Sequence, residues 1–161
     1  MTVKEYNKAV DLYSNNVYRF ILKNIKSVEK AEDIVQDTYE KLWKRRDEVD
    51  FLKSKSYLFT SAYRTMIDLI RREKKKGHWD EVGEINLSHQ HQYSDLKEIL
   101  HQALDRLSEI QKSVVMLRDY EGYDYEEIGE ITGLTMSQVK VYIFRARKKL
   151  KEYLVKMDLV I

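Results

Sequence analysis

A chain of 161 residues without a single proline lacks the residue that most often breaks a helix and pre-sets a turn. Average usage would supply roughly eight. Glycine is scarce too, at five. The turns must therefore be made by capping side chains and a handful of glycines. An all-β sandwich, with its many Gly and Pro turns, is disfavoured, and a collagenous or Pro-rich linker protein is excluded. The absence of cysteine removes disulfide scaffolds and thiolate zinc sites. What remains is a nearly all-helical chain, either one domain or two small ones.

The net charge of +2 conceals a strong segregation. Residues 1–76 carry 18 Lys and Arg against 12 Asp and Glu, a net +6. Residues 77–105 are at −5 and residues 106–135 at −4, whereas residues 136–161 return to +5. Two basic blocks flanking an acidic stretch suggest polyanion binding at two places.

Apolar residues at spacings of three and four mark the helices. Val3, Tyr6, Val10, Tyr13, Val17, Phe20, Ile21 and Ile25 define a long first helix, with Asn15-Asn16 a point where it could loosen. Ser27 is placed to cap a second helix carrying Ala31, Ile34, Tyr39 and Leu42. A third begins near Ser54 or Ser56 and ends in a Lys run before Gly77. Residues 77–94 lose the helical period and read as a linker. Four further helices are expected, at about 95–107, 109–120, 125–132 and 136–155. The last three are announced by Ser108…Gln111, Asp124…Glu127 and Thr135…Gln138, each spaced as a capping box. Gly122 and Gly133 fall where the first two of these should stop. The expected fold is all-α, with two small helical domains (1–76 and 95–161) joined by that linker.

A short helix, the turn Gly133-Leu134-Thr135 and a longer basic helix form a helix-turn-helix pattern. Ile128, Ile131, Leu134, Val139 and Ile143 are spaced to share its core, and Gly129 falls where the two helices approach. Outward on the second helix this leaves Gln138, Lys140, Val141, Tyr142, Arg145 and Lys148. Gln and Lys can reach base edges, and Val141 can pack on a thymine methyl. Arg145, Arg147 and Lys148 suit phosphates. A basic helical face alone reads as well as a solvated surface. The capped turn and the switch from acidic to basic helix favour recognition of duplex DNA.

Residues 57–76 interleave Tyr57, Phe59 and Tyr63 with Arg64, Arg71, Arg72 and three lysines, the composition of a single-strand groove. For any single tyrosine here, a core position is the better reading. Asp33, Asp37 and Glu40 with Lys41 and Lys44 read, by spacing alone, as a salt-bridged solvent face. No catalytic constellation or phosphate-cradling glycine loop is present, and His89-Gln90-His91 lacks a ligand pattern. No enzyme, metal, cofactor or small-molecule substrate is expected. With no signal peptide and no long apolar run, the expected location is the cytoplasm.

The segments AEDIVQDTYEKLWKRRDEVD, SYLFTSAYRTMIDLIRR and LSEIQKSVVMLRDYEGYDYEEIGEITGLTMSQVKVYIFRARKKLKEYL resemble regions two and four of an extracytoplasmic-function (ECF) sigma factor of bacterial RNA polymerase. The resemblance covers nearly the whole chain outside the linker. It implies that Asp33, Gln36, Asp37, Glu40 and Trp43 contact core RNA polymerase. It also implies that Tyr57, Tyr63, Arg64, Arg71 and Arg72 engage the melted minus-ten strand. Gln138, Lys140, Val141, Tyr142, Arg145 and Lys148 would then face the minus-thirty-five duplex. An anti-sigma protein is a common partner in the family. The chain departs from the pattern at Arg64, where Asn is common, at Tyr57 for Trp, at Ser108 for Pro and at Gly129 for Ala. The competing readings are a helix-turn-helix regulator that never touches polymerase core, and a helical adaptor without DNA affinity.

Overall fold

The computed structural model describes residues 1–76 and 95–157. The linker and its paired histidines lie outside the described residues. All regular structure within them is helical, and it falls into two units.

The first unit contains α1 (Val3–Ile25), α2 (Val28–Lys44) and α3 (Ser54–Lys76), each packed on the other two. Thr2 and Glu5 close a capping box at the start of α1. The helix runs unbroken through Asn15-Asn16, where the Asn16 side-chain oxygen accepts from Arg19 at 2.8 Å. It stops at Lys26, a non-glycine residue held in the left-handed region (φ 63°), whose N–H reaches the Leu22 carbonyl at 2.7 Å. Ser27 then caps α2 by accepting from the Lys30 N–H. A single 3₁₀ turn (Phe51–Lys53) leads into α3, which begins at Ser54. The periodic residues Val17, Phe20, Ile21 and Ile25 meet Ala31, Ile34, Leu42, Leu58, Phe59, Ala62, Met66 and Ile70 in one buried core. Val3, by contrast, is 52% exposed, because the stripe of α1 runs past the edge of its partners.

The second unit is built from shorter pieces: α4 (Asp95–Asp105), α5 (Glu109–Val115), α6 (Tyr125–Thr132) and α7 (Met136–Lys156). All three expected capping boxes form, with Ser108, Asp124 and Thr135 each accepting from the backbone N–H three residues on. The helix expected to continue to residue 120 instead widens into a π turn over Met116–Tyr120. Its signature is the Glu121 N–H bonding the Met116 carbonyl at 3.1 Å, an i→i+5 bond. Gly122 (φ 76°) turns the chain out of it. Ile128, Ile131, Val139 and Ile143 are all buried, as their spacing requires, and Leu134 is half-buried.

Candidate nucleic-acid and polymerase interfaces

The helix-turn-helix is fixed by two glycines that do different work. Gly133 takes φ 79°, which closes α6 and lets its N–H bond the Gly129 carbonyl at 2.8 Å. Gly129 has ordinary helical geometry, but a Cβ there would lie 2.8 Å from the Leu134 carbonyl oxygen. The turn passes directly over it, so only a bare Cα fits.

The turn sets the angle of α7, whose buried face is Val139, Ile143 and Ala146. Helical periodicity then assigns the remaining side chains. Ser137, Val141, Phe144 and Lys148 form the outermost row, all exposed. On one flank stand Gln138, Tyr142 and Arg145. With Ser137 and Val141 they line an open depression of ≈ 250 Å³. On the other flank stand Lys140 and Arg147, two turns apart. The six residues expected to face duplex DNA thus share one continuous surface, with Tyr142 half-buried and the other five exposed.

Gln138 completes its expected capping box: its Oε1 accepts from the Thr135 N–H at 2.9 Å, so its NH₂ alone is left to donate outward. Two details depart from the sequence reading. Arg147, expected at phosphates, is instead held by Asp119, with Nε–Oδ2 at 3.2 Å and Nη2–Oδ1 at 2.5 Å. That hydrogen-bonded carboxylate is the main reason its pKa is raised above the ordinary arginine value. Phe144 was missed altogether. It is 69% exposed in the middle of the outer row, an unusual position for a phenylalanine and a suitable one for a thymine methyl. Its signal was an aromatic at i+7 from Ser137, which the core pattern did not need.

On α3 the basic residues and the aromatics separate. Arg64, Arg71 and Arg72 are exposed, and with Lys75 they form a stripe at helical spacing interrupted by Asp68. Tyr57 is half-buried on the same side. Tyr63 is only 7% exposed, on the core face beside Ala62 and Met66, which agrees with the core reading of a single tyrosine and departs from the strand contact that the resemblance implies. In this packing its ring cannot lie under a base. Phe59 is fully buried against Phe20, with ring centroids 5.6 Å apart.

The outward face of α2 presents Asp33, Gln36 and Glu40 exposed, with Asp37 half-buried. Lys41 pairs with Asp37 and Lys44 with Glu40, both at 3.0 Å, as i,i+4 spacing allows. Trp43 ends the stripe. It is 38% exposed, makes an edge contact with Tyr6 at 4.9 Å, and lies under the Arg46 guanidinium at 3.9 Å. Tyr6 in turn donates from its hydroxyl to the Tyr39 carbonyl at 3.1 Å. Burial pushes the Tyr6 and Tyr39 phenols above their usual range. The exposed indole is therefore held in one orientation by a packed aromatic cluster.

Residues 9–76 match the family description "Sigma-70 region 2", and residues 97–150 match "Sigma-70, region 4". The RNA polymerase sigma factor SigV of Bacillus subtilis is 32% identical over 150 residues, covering 91% of this chain and 89% of the relative. The chain belongs to the ECF sigma factors. The ECF RNA polymerase sigma factor SigM of the same bacterium is 30% identical over 157 residues, covering 94% of both chains. A solved structure of the sigma factor RpoE from Bartonella quintana, in complex with the anti-sigma factor NepR, matches with a TM-score of 0.75. It is 26% identical and covers 94% of this chain and 98% of that one. As a sigma factor the protein directs RNA polymerase in transcription initiation. Among the described residues no helix is long and apolar enough to cross a membrane, and no group of three or more acidic or histidine side chains could hold a metal.

Proposed function

We propose that this sigma factor binds bacterial core RNA polymerase through the outer stripe of α2 and recognises promoters at two places. Asp33, Gln36, Asp37, Glu40 and Trp43 dock on polymerase, with the clamped indole as the anchor. Arg64, Arg71, Arg72 and the edge of Tyr57 hold the melted minus-ten strand, chiefly through its phosphates. The exposed row of α7 reads the minus-thirty-five duplex, with Val141 and Phe144 toward bases and Lys148 toward phosphate, and Lys140 reaches a base from the braced flank. Gln138, Tyr142 and Arg145 read from the open flank. An anti-sigma protein is the partner class that holds the factor inactive, as the Bartonella quintana neighbour was solved with one. The protein works in the cytoplasm without chemistry of its own, and the division of labour falls at 1–76 and 95–161.

The observation that carries this is the presence of both sigma regions in one chain, with a capped recognition helix whose outward row is exposed. The test is transcription from genomic promoter fragments by core polymerase with and without the protein. New start sites appear only in its presence. No stimulation on any fragment refutes the reading.

A further inference from the structure

The two flanks of α7 are treated differently. Gln138, Tyr142 and Arg145 border an open depression. Lys140 and Arg147 are braced by the preceding elements. Tyr125, at the start of α6, has the Arg118 guanidinium 4.6 Å and the Lys140 ammonium 5.6 Å from its ring. Arg118 is itself fixed by donating to the Tyr123 carbonyl at 3.0 Å. Asp119 takes Arg147 in a two-point fork, the strongest geometry a guanidinium–carboxylate pair can adopt.

Asp119 lies in the π turn, and its carboxylate meets Arg147 in the middle of α7. A carboxylate beside a DNA-reading surface opposes binding to any duplex, whatever its sequence. Every cation reaching a phosphate adds to sequence-independent affinity, and Asp119 withdraws one such cation.

We propose that Asp119 is a specificity-positioning residue of the duplex-reading surface. It holds the Arg147 guanidinium off the phosphate backbone and fixes that flank of α7, so duplex DNA is bound less tightly but more selectively. The inference rests on the assignment of α7 to the minus-thirty-five element.

The experiment uses the full chain and two labelled duplexes. One carries an upstream element selected by the holoenzyme from a random pool, and the other is its scrambled version. Binding is followed between about 50 and 200 mM salt. Asp119→Asn should steepen the salt dependence by about 0.9 in log–log slope, one more phosphate contact, and bind the scrambled duplex about threefold tighter at the low-salt end. The ratio of selected to scrambled affinity should fall. Arg147→Gln alone should leave the slope unchanged, and Asp119→Asn with Arg147→Gln should restore it. Should Asp119→Asn fail to fold, as judged by its melting curve, Asp119→Ala also removes the carboxylate and must steepen the slope likewise. A slope flattened by about 0.9 in Arg147→Gln would show that Arg147 already touches phosphate, and would overturn the proposal. So would an Asp119→Asn variant with unchanged slope and ratio. A wild-type chain without salt-dependent duplex binding refutes the reading of α7 itself, and this inference with it. An Asp119 single variant that matches a wild type that does bind refutes only the inference.

Discussion

In α3 two of the three rings interleaved with the basic residues, Phe59 and Tyr63, are built into the core and Tyr57 is half-buried, whereas in α7 Phe144 stands 69% exposed among Lys140, Val141 and Lys148. Charge differs in the same direction. The α2 face pairs Asp37 and Glu40 with neighbouring lysines, but Arg145 and Lys148 on α7 make no ion pair among the described residues. The first unit therefore offers charge with little exposed aromatic surface beyond Trp43. The second offers both on one rigid helix. A duplex has a fixed groove that a preformed helix can enter, so its reading surface is best exposed and complete in advance. A strand still to be melted has no fixed shape, and a row of cations suffices to attract it.

The largest effect is expected at α7. Lys140→Ala combined with Arg145→Ala removes one side chain from each flank. At about 1–3 kcal/mol per specific contact, the holoenzyme should lose thirtyfold or more in affinity for an upstream-element duplex. Capture of core polymerase by the variant should be unchanged. Equal losses in the two assays would show that the units do not divide the work.

The reciprocal substitution is Trp43→Ala. A central aromatic anchor is worth about 2 kcal/mol or more when truncated, so polymerase capture should weaken by at least tenfold while duplex binding stays constant. Loss of the Tyr6 and Arg46 contacts also costs about 1 kcal/mol of stability, which a melting curve separates from the binding effect. Should capture survive, the indole merely covers Tyr6 and the docking surface lies further up the acidic face.

The two units were not equally legible from sequence. Short helices must declare both ends, and the second unit does so with three capping boxes and two left-handed glycines, so its elements and its outward row could be read from spacing. The π turn left no such mark, because a widened turn and an α turn ask for the same apolar residues; Asp119 and Arg147 lie on different elements, and no local spacing announces their pairing. In the first unit the helices are long and aromatic residues occur on both faces. Composition placed aromatics and cations in α3 but could not say which rings faced inward, and Tyr63 went to the core. The polymerase-facing stripe was hardest, since i,i+4 ion pairs look alike on a docking face and on a solvated one.

A smaller effect sharpens the contrast in how the units make their turns. Gly129→Ala should gain about 1 kcal/mol in helix propensity. The new methyl would meet the Leu134 carbonyl at 2.8 Å, a backbone group that cannot rotate away. Forced displacement of this kind costs about 1–3 kcal/mol, so the sign is net destabilising. The melting temperature of the second unit should fall, and duplex affinity should drop with it because the turn aims α7. A rise in stability would mean that the turn relaxes freely and does not set that angle.

The smallest effect runs the other way, in the first unit. Lys26 ends α1 in a conformation that glycine adopts without cost and a β-carbon resists by roughly 1–2 kcal/mol. Lys26→Gly removes that strain. It also frees the unfolded chain, which returns part of the gain, and leaves a net stabilisation of about 0.5 kcal/mol. For a unit of this size that is a rise in melting temperature of about 2–4 °C. Neither polymerase capture nor duplex binding should change, because Lys26 lies at the far end of α2 from Trp43. Lys26 has further interactions of its own. A fall in melting temperature would show that they outweigh the backbone strain. The α1–α2 turn would then be held by its side chain, where the α6–α7 turn is held by the lack of one.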